Sequence, residues 1–338
     1  MLDSVIIGAG LMGRHHATAS SRASAVIVAV IDRDLPAAER LARGFRGCIA
    51  ARSIDDVVAK RSFDVAHICT PSATHASMAL AVADARAHAL IEKPVGQNAQ
   101  ELEQIARGFA AAGRSFCPVH QYAFQTAFEK AITSAHDLNA LVRFECDIRS
   151  TGGPEKMIGR DSCTADILPH PLSLLQRLRP DTKIDKLAWH LSRPSPGEWL
   201  CLASLDGGAL AKFSISLTAR PTCFRSRIVA ASGEIEIDHF NGSTITVTGS
   251  ASRSYKLIQP FDRNGRGLAR AATNLGRRIL EREWGYPGLL ELVRQFYSAI
   301  ASGRPMAHPI RAEEALAVAR TRDLMLLKAL QIGSGGHG

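Results

Sequence analysis

Gly8-Ala9-Gly10-Leu11-Met12-Gly13 is the stretch that decides the fold. The apolar run Val5-Ile6-Ile7 leads straight into it and a helical pattern leaves it, so the GxGxxG spacing sits between a strand and a helix. Gly8 permits the tight turn, Gly10 lets a pyrophosphate approach the backbone, and Gly13 lets helix and strand pack closely. The helix start, at Leu11 and Met12, offers N–H groups and the positive end of a dipole to phosphate. Asp32 closes the next strand. A carboxylate there accepts hydrogen bonds from ribose hydroxyls and repels a 2′-phosphate, which favours NAD. Arg33 beside it can reach a 2′-phosphate, so NADP stays open. The bland alternatives are a glycine-rich turn without a ligand and an aspartate that merely serves a turn.

Working outward, the first third alternates β-rich apolar runs with helical patterns. Ala25–Ile31, a short run near Cys48-Ile49-Ala50, Asp64–Cys69, Ala89–Ile91 and Phe116–Val119 read as further strands. Their continuous apolar character suits parallel strands buried on both faces. Asp34, Ser53 with Asp56, and Asn98 read as helix caps. The expected class is α/β: a doubly wound parallel Rossmann sheet over residues 1–122. From about Gln125 the rhythm changes. A helix at 126–134, a strand at 142–148 and a helix at 166–178 precede strand-like runs at 184–191, 199–204, 209–218, 226–231, 235–237 and 244–247. Turns such as Asp206-Gly207-Gly208 and Asn241-Gly242 separate the later runs. This predicts a second, α+β domain over 123–332 on a large, mostly antiparallel open sheet. Its closing helices, 289–302 and 312–330, lie in a 285–332 segment that can pack back on the first domain. A tail from Gly333 to Gly338 is expected outside any element.

At 338 residues with 46% hydrophobic and 22% charged residues, the chain is ordinary for a soluble two-domain protein. No apolar run reaches the ~18 residues of a membrane span. The start shows no basic region and cleavage site of a signal peptide. Seven scattered cysteines without a CxxC pair read as reduced thiols of a cytoplasmic protein, with no metal site. The net charge of +9 favours acidic partners, yet no basic stripe interleaved with aromatics marks a nucleic-acid binder.

Cys69-Thr70-Pro71-Ser72-Ala73-Thr74-His75 leaves the fourth strand and Glu92-Lys93-Pro94 leaves the fifth. Together with the glycine loop, this ordered set resembles the glucose–fructose oxidoreductase/inositol dehydrogenase/rhizopine catabolism (Gfo/Idh/MocA) family, over nearly the whole chain. The resemblance implies that Thr70, Pro71 and His75 line the nicotinamide side of the cofactor groove. It implies that Glu92 and Lys93 border the cofactor, with Lys93 between nicotinamide and substrate. It also implies an Asp-x-x-x-His pair on a second-domain helix, which Asp166-Ile167-Leu168-Pro169-His170 matches. Residues i and i+4 share a helix face. Leu168 stands where the family commonly has glycine, and Pro169 and Pro171 flank the histidine. After the sixth strand His120-Gln121-Tyr122-Ala123-Phe124 lacks the arginine common there, leaving Gln121 and Tyr122 as candidate substrate contacts.

The expected chemistry is hydride transfer between nicotinamide and a secondary alcohol or ketone, with His170 as acid or base, Asp166 orienting it, and Lys93 stabilising an alkoxide. By resemblance the substrate is a sugar, cyclitol or nucleotide-activated sugar. A reductase of a non-sugar imine or bilin, a dihydrodiol dehydrogenase and a non-enzymatic NAD-responsive regulator are the alternatives. Self-association as a homodimer or homotetramer is expected if the run Ala209–Leu217 leaves a broad apolar sheet face. A basic segment carries Arg263, Arg266, Arg270, Arg277, Arg278 and Arg282 against the single carboxylate Glu281. It reads as a solvated helix, a weak membrane-surface contact or a site for an anionic substrate such as a nucleotide-sugar diphosphate, with Arg266 and Arg270 as the binding pair.

Overall fold

The computed structural model describes residues 1–136, 138, 140–150, 159–248, 255–280, 285–304, 306 and 311–334. The chain divides into two compact units. One holds Met1–Gln121 and Leu289–Arg320; the other holds Tyr122–Gly288 and Thr321–Gly338.

The first unit is a six-stranded parallel sheet of β1 (Asp3–Ile7), β2 (Val26–Ile31), β3 (Ile49–Ala51), β4 (Val65–Ile68), β5 (His88–Ile91) and β6 (Phe116–Pro118). Its order is β3-β2-β1-β4-β5-β6, the doubly wound order whose direction reverses beside β1. The strands are almost wholly buried, which explains why their runs are continuous rather than alternating. The helices are α1 (Leu11–Arg22), α2 (Leu35–Ala42), α3 (Ile54–Val58), α4 (His75–Asp84) and α5 (Ala99–Ala112). Ser53 and Asp56 form a reciprocal capping box on α3, and the Asn98 side chain accepts the Glu101 N–H to start α5. Asp34, expected to cap α2, makes no side-chain cap; its own N–H instead donates to Asp32 at 2.9 Å.

The second unit is built on α6 (Thr126–His136), β7 (Leu141–Arg149), α7 (Arg160–Ile167), α8 (Pro169–Leu178), β8 (His190–Ser195), β9 (Glu198–Ser204), β10 (Leu210–Ser216), β11 (Cys223–Ala230), β12 (Gly233–Asp238), β13 (Ser243–Thr248) and α9 (Tyr255–Leu280). The sheet order is β13-β12-β11-β7-β10-β9-β8; β7 and β10 are parallel and every other neighbour is antiparallel. Two expectations are corrected here. The run at 184–191 opens with a 3-10 turn, Ile184–Lys186, and the strand begins only at His190. The Trp189 indole N–H donates to the Ile184 carbonyl at 2.9 Å and closes that turn over two buried side chains. The single helix over 166–178 is two, broken at Leu168, because Pro169 and Pro171 carry no N–H for the carbonyls a turn earlier.

The chain closes with α10 (Leu289–Ser302), packed on α1, and α11 (Ala312–Ser334). Helix α11 thus takes in Gly333 and Ser334 of the expected tail; residues 335–338 lie outside the described residues. In β10, Ala211, Phe213 and Ile215 face the core, as do the flanking Ala209 and Leu217. The other sheet face exposes Leu202 of β9 and Leu210 of β10. It is also laced with ion pairs: Arg143–Glu145, Arg149–Asp147, Arg227 with Glu145 and Glu234, and Arg225–Asp238. No described helix is long and apolar enough to cross a membrane.

Candidate active site

The sequence-predicted cofactor residues gather at the C-terminal ends of the parallel strands. Gly8 follows β1 with φ +101°, a conformation only glycine adopts freely, and a Cβ there would lie 2.9 Å from the Cys69 carbonyl. A Cβ on Gly13 would meet the Gly8 oxygen at 1.8 Å, so helix α1 can approach the strand only through glycine. Gly10 differs, since nothing lies within 4 Å of where its Cβ would be. The loop is closed on the protein side and open at Gly10, beside the exposed Leu11 and half-buried Met12 that begin α1. That is the shape a dinucleotide pyrophosphate requires.

Asp32 is fixed from both sides. Its Oδ2 accepts the Ala9 N–H at 2.7 Å and its Oδ1 the Asp34 N–H. Each oxygen keeps acceptor capacity for a ribose hydroxyl. Arg33 is exposed, and its carbonyl takes a hydrogen bond from Arg52 Nη1 at 2.8 Å. Arg52, just past β3, was not picked out from the sequence.

Thr70 and Pro71 leave β4, where the Thr74 hydroxyl holds both, 2.8 Å from Thr70 Oγ1 and from the Pro71 carbonyl. His75 opens α4. It is 1% exposed, with Nε2 2.7 Å from the Thr70 carbonyl and Nδ1 2.8 Å from the Pro94 carbonyl. It therefore sits between the loop after β4 and the loop after β5, and its single N–H can donate to one of the two carbonyls.

Glu92 is buried and Lys93 half-buried at the end of β5. Glu92 Oε2 accepts the Lys93 backbone N–H at 3.1 Å. His120 follows β6, and burial pushes its imidazole down to about 4, with Glu92 opposing and Lys93 reinforcing the shift. It is therefore neutral near pH 7. His120 Nδ1 and the neighbouring Gln121 Oε1 are buried without a hydrogen-bond partner among the described residues. Buried polar atoms of this kind call for an explanation, and an ordered water or a bound ligand supplies one. His120 was quoted only as part of a departure from the family pattern; its position beside Lys93 is legible only in three dimensions.

In the second unit Tyr122, His170, Phe224 and His239 form an aromatic cluster. The Tyr122 ring stands edge-on to His170 at 4.9 Å and to Phe224 at 4.8 Å. His239 lies 4.3 Å from Phe224 and is held by Ser226 and Gln125. Burial takes His239 down to about 3, so it is a neutral support for the cluster. Asp166 pairs with Arg322 of α11 at 2.5 Å, a partner the sequence did not suggest. Arg322 also binds Asp323 at 2.9 Å.

In the basic segment, Arg270 donates to the Thr244 carbonyl and Arg278 to the Phe240 carbonyl, so both tie α9 to the β12–β13 hairpin. Arg266 is exposed. Arg270 and Lys130 line a cavity of about 630 Å³ that contains none of Lys93, Asp166 or His170. The side chains of Arg263 and Arg277, and residues Glu281 and Arg282, lie outside what is described.

Residues 2–120 match the model of GFO_IDH_MocA, an oxidoreductase family with an NAD-binding Rossmann fold. Over that stretch the chain is similar to that family. Inositol 2-dehydrogenase of Mycolicibacterium gilvum (strain PYR-GCK) is 31% identical over 178 residues, 49% of this chain and 50% of that protein. The chain spans about half the length of such curated relatives. Among solved structures, UDP-N-acetylglucosamine 3-dehydrogenase GnnA from Acidithiobacillus ferrooxidans aligns with a TM-score of 0.72 at 20% identity, over 98% of this chain and 99% of that one. Levoglucosan dehydrogenase, solved with NADH and levoglucosan, aligns at 0.76 and 17%, over 98% and 97%. At these identities the likeness is one of fold. The open Gly10 and anchored Asp32 of this Gfo/Idh/MocA domain fit NAD.

Proposed function

We propose that the protein is an NAD-dependent oxidoreductase acting on a secondary alcohol or ketone of a sugar, cyclitol or nucleotide-linked sugar. The observation that carries the reading is the strand edge of the Gfo/Idh/MocA domain. There Lys93 and two unsatisfied buried polar atoms, His120 Nδ1 and Gln121 Oε1, share one sheet edge with the dinucleotide loop. The similarity to inositol 2-dehydrogenase supports a polyhydroxylated substrate. NAD, when bound, supplies the hydride acceptor or donor. Lys93 hydrogen-bonds the reacting oxygen and stabilises its negative charge. Neutral His120 and Gln121 hydrogen-bond neighbouring hydroxyls. His170 takes the hydroxyl proton in oxidation and returns it in reduction, a task suited to an imidazole. Asp166, neutralised by Arg322, positions the break between α7 and α8 from which His170 departs.

Cytoplasmic residence fits the seven free thiols. Self-association as a dimer or tetramer belongs to the same reading; the open sheet face offers both ion pairs and the exposed Leu202 and Leu210 to it.

The test is NAD reduction, followed optically, over a panel of cyclitols, aldoses and nucleotide sugars. Turnover with at least one polyol is expected. Reduction of imines or oxidation of dihydrodiols alone would replace the substrate class, and NAD binding without any turnover would favour a regulator.

Cofactor choice gives a second expected result. Isothermal titration shows tighter binding of NADH than of NADPH, because the fixed Asp32 carboxylate repels a 2′-phosphate. Asp32→Ala narrows the difference. Tighter binding of NADPH by the unaltered protein would assign the site to Arg33 and Arg52 instead.

A further inference from the structure

One line of hydrogen-bonding side chains runs through the interior of the first unit and ends at Glu92. From Glu92 Oε1 it is 3.0 Å to His16 Nε2, and from His16 Nδ1 2.8 Å to His67 Nδ1. His67 Nε2 lies 2.5 Å from Tyr297 Oη, which lies 2.7 Å from Ser20 Oγ; Ser20 Oγ lies 2.8 Å from Ser4 Oγ. His16 and Ser20 come from α1, Ser4 from β1, His67 from β4 and Tyr297 from α10. All six side chains are buried. Burial holds the His67 imidazole well below its ordinary range, with His16 adding to the effect, and pushes the Tyr297 phenol up. Both are neutral near pH 7.

Counting protons gives the line a direction. If a Glu92 carboxylate faces a neutral His16, the members carry five protons: one each on His16, His67, Tyr297, Ser20 and Ser4. Five short links need filling. The carboxylate donates nothing, so His16 must donate from Nε2. Its Nδ1 then accepts, so His67 must donate from Nδ1. His67 Nε2 then accepts from Tyr297, which accepts from Ser20, which accepts from Ser4. No other arrangement of these five protons fills every link. The opposite direction would end with Ser4 donating to the Val26 carbonyl, a longer contact of 3.4 Å.

We propose that His16, His67 and Tyr297 are positioning residues for the Glu92–Lys93 pair, joined in a single directed hydrogen-bond chain whose polarity is set by the charge of Glu92. The chain holds one carboxylate oxygen on His16 and thereby presents the other to the Lys93 N–H, fixing the backbone from which the lysine side chain departs. Glu92 has Cys69 and His120 as further titratable neighbours. The proposal depends on the functional reading only for what Lys93 does. Tautomers are read without turnover, so inactivity on every polyol would leave the chain standing.

Glu92→Gln tests it sharply. The Lys93 N–H needs an acceptor, so the new amide must place its oxygen there and its NH₂ toward His16 Nε2. His16 must then carry its proton on Nδ1, and His67 must move its proton to Nε2, although His67 does not touch residue 92. Imidazole nitrogen–proton correlation spectra of the full-length protein near pH 7, assigned with His16→Gln and His67→Gln, distinguish the tautomers. In the unaltered protein His16 is Nε2–H and His67 is Nδ1–H; in Glu92→Gln both are reversed. Tyr297→Phe, at the far end, leaves both as in the unaltered protein. His67 protonated on Nε2 in the unaltered protein, or unmoved in folded Glu92→Gln, or moved by Tyr297→Phe, would overturn the proposal. The first and third measurements decide it even if Glu92→Gln does not fold.

Discussion

Lys93→Ala lowers kcat by roughly 10²–10⁴-fold on the substrate the panel identifies, with NADH affinity nearly unchanged; groups that stabilise developing charge or move a proton contribute at that scale. The affinity is spared because, on the proposed reading, the pyrophosphate and ribose are taken by Gly8, Gly10 and Asp32, which follow β1 and β2, and not by the loop after β5. His170→Ala has a loss of the same order. The two differ under pH. If His170 moves the proton, kcat/KM of the unaltered enzyme falls as an imidazole protonates in the direction of alcohol oxidation, and His170→Ala abolishes that limb. Steady-state kinetics and NADH titration on both variants make the comparison. Near-normal turnover by His170→Ala would pass the proton to Lys93, whereas near-normal turnover by Lys93→Ala would remove that residue from the mechanism.

Asp161→Ala destabilises the protein by about 3–5 kcal/mol, the scale for removing one partner of a buried ion pair. Asp161, in the first turn of α7, takes Arg193 Nε at 3.0 Å and Nη2 at 2.7 Å on one oxygen. The other oxygen accepts the Trp199 indole N–H at 2.8 Å and the Gly197 N–H at 3.1 Å. Alanine strands a mostly buried guanidinium and two N–H groups at once. Burial alone would raise the Asp161 carboxyl, but the hydrogen bonds from Arg193, Trp199 and Gly197 outweigh it and hold the carboxyl below its usual range. A depressed folded-state pKa means stabilisation that is present above the unfolded value of ~3.9 and lost as pH falls through the folded value. Urea unfolding of the unaltered protein and of Asp161→Asn should therefore diverge at neutral pH and converge in acid. Equal midpoints at neutral pH would show that the charge adds nothing.

What the sequence discloses is what is local. The glycine loop, Asp32, the caps at Ser53 and Asn98 and the continuous strands of the first unit all depend on residues a few positions apart. The pattern fails where distant groups compete. Asp34 looks like a cap, but its N–H is taken by Asp32. His75 lies between carbonyls of two different loops, those of Thr70 and Pro94, which spacing alone does not bring together. Asp166 finds Arg322 on the closing helix, and the Glu92 chain reaches Tyr297 on α10, a pairing that no spacing rule anticipates. The outward face of β10 was left open between apolar and polar, because alternation gives two faces without saying which is covered. The ion-pair lattice beside it comes from three neighbouring strands, β7, β11 and β12, and most of its links are invisible in any one of them.

The placement of β7 has a consequence for how the second sheet assembles. Strands β8, β9 and β10 form one run of antiparallel neighbours, and β11, β12 and β13 form another, each joined by short turns. These two ribbons touch in the ladder only through β7, which precedes both in the chain and lies between them, parallel to one and antiparallel to the other. Local pairing closes cheaply and early, while long-range pairing must first bear the entropy of loop closure. The ribbons are thus natural early units, and β7 is the keystone whose two long-range seams convert them into a single cooperative sheet.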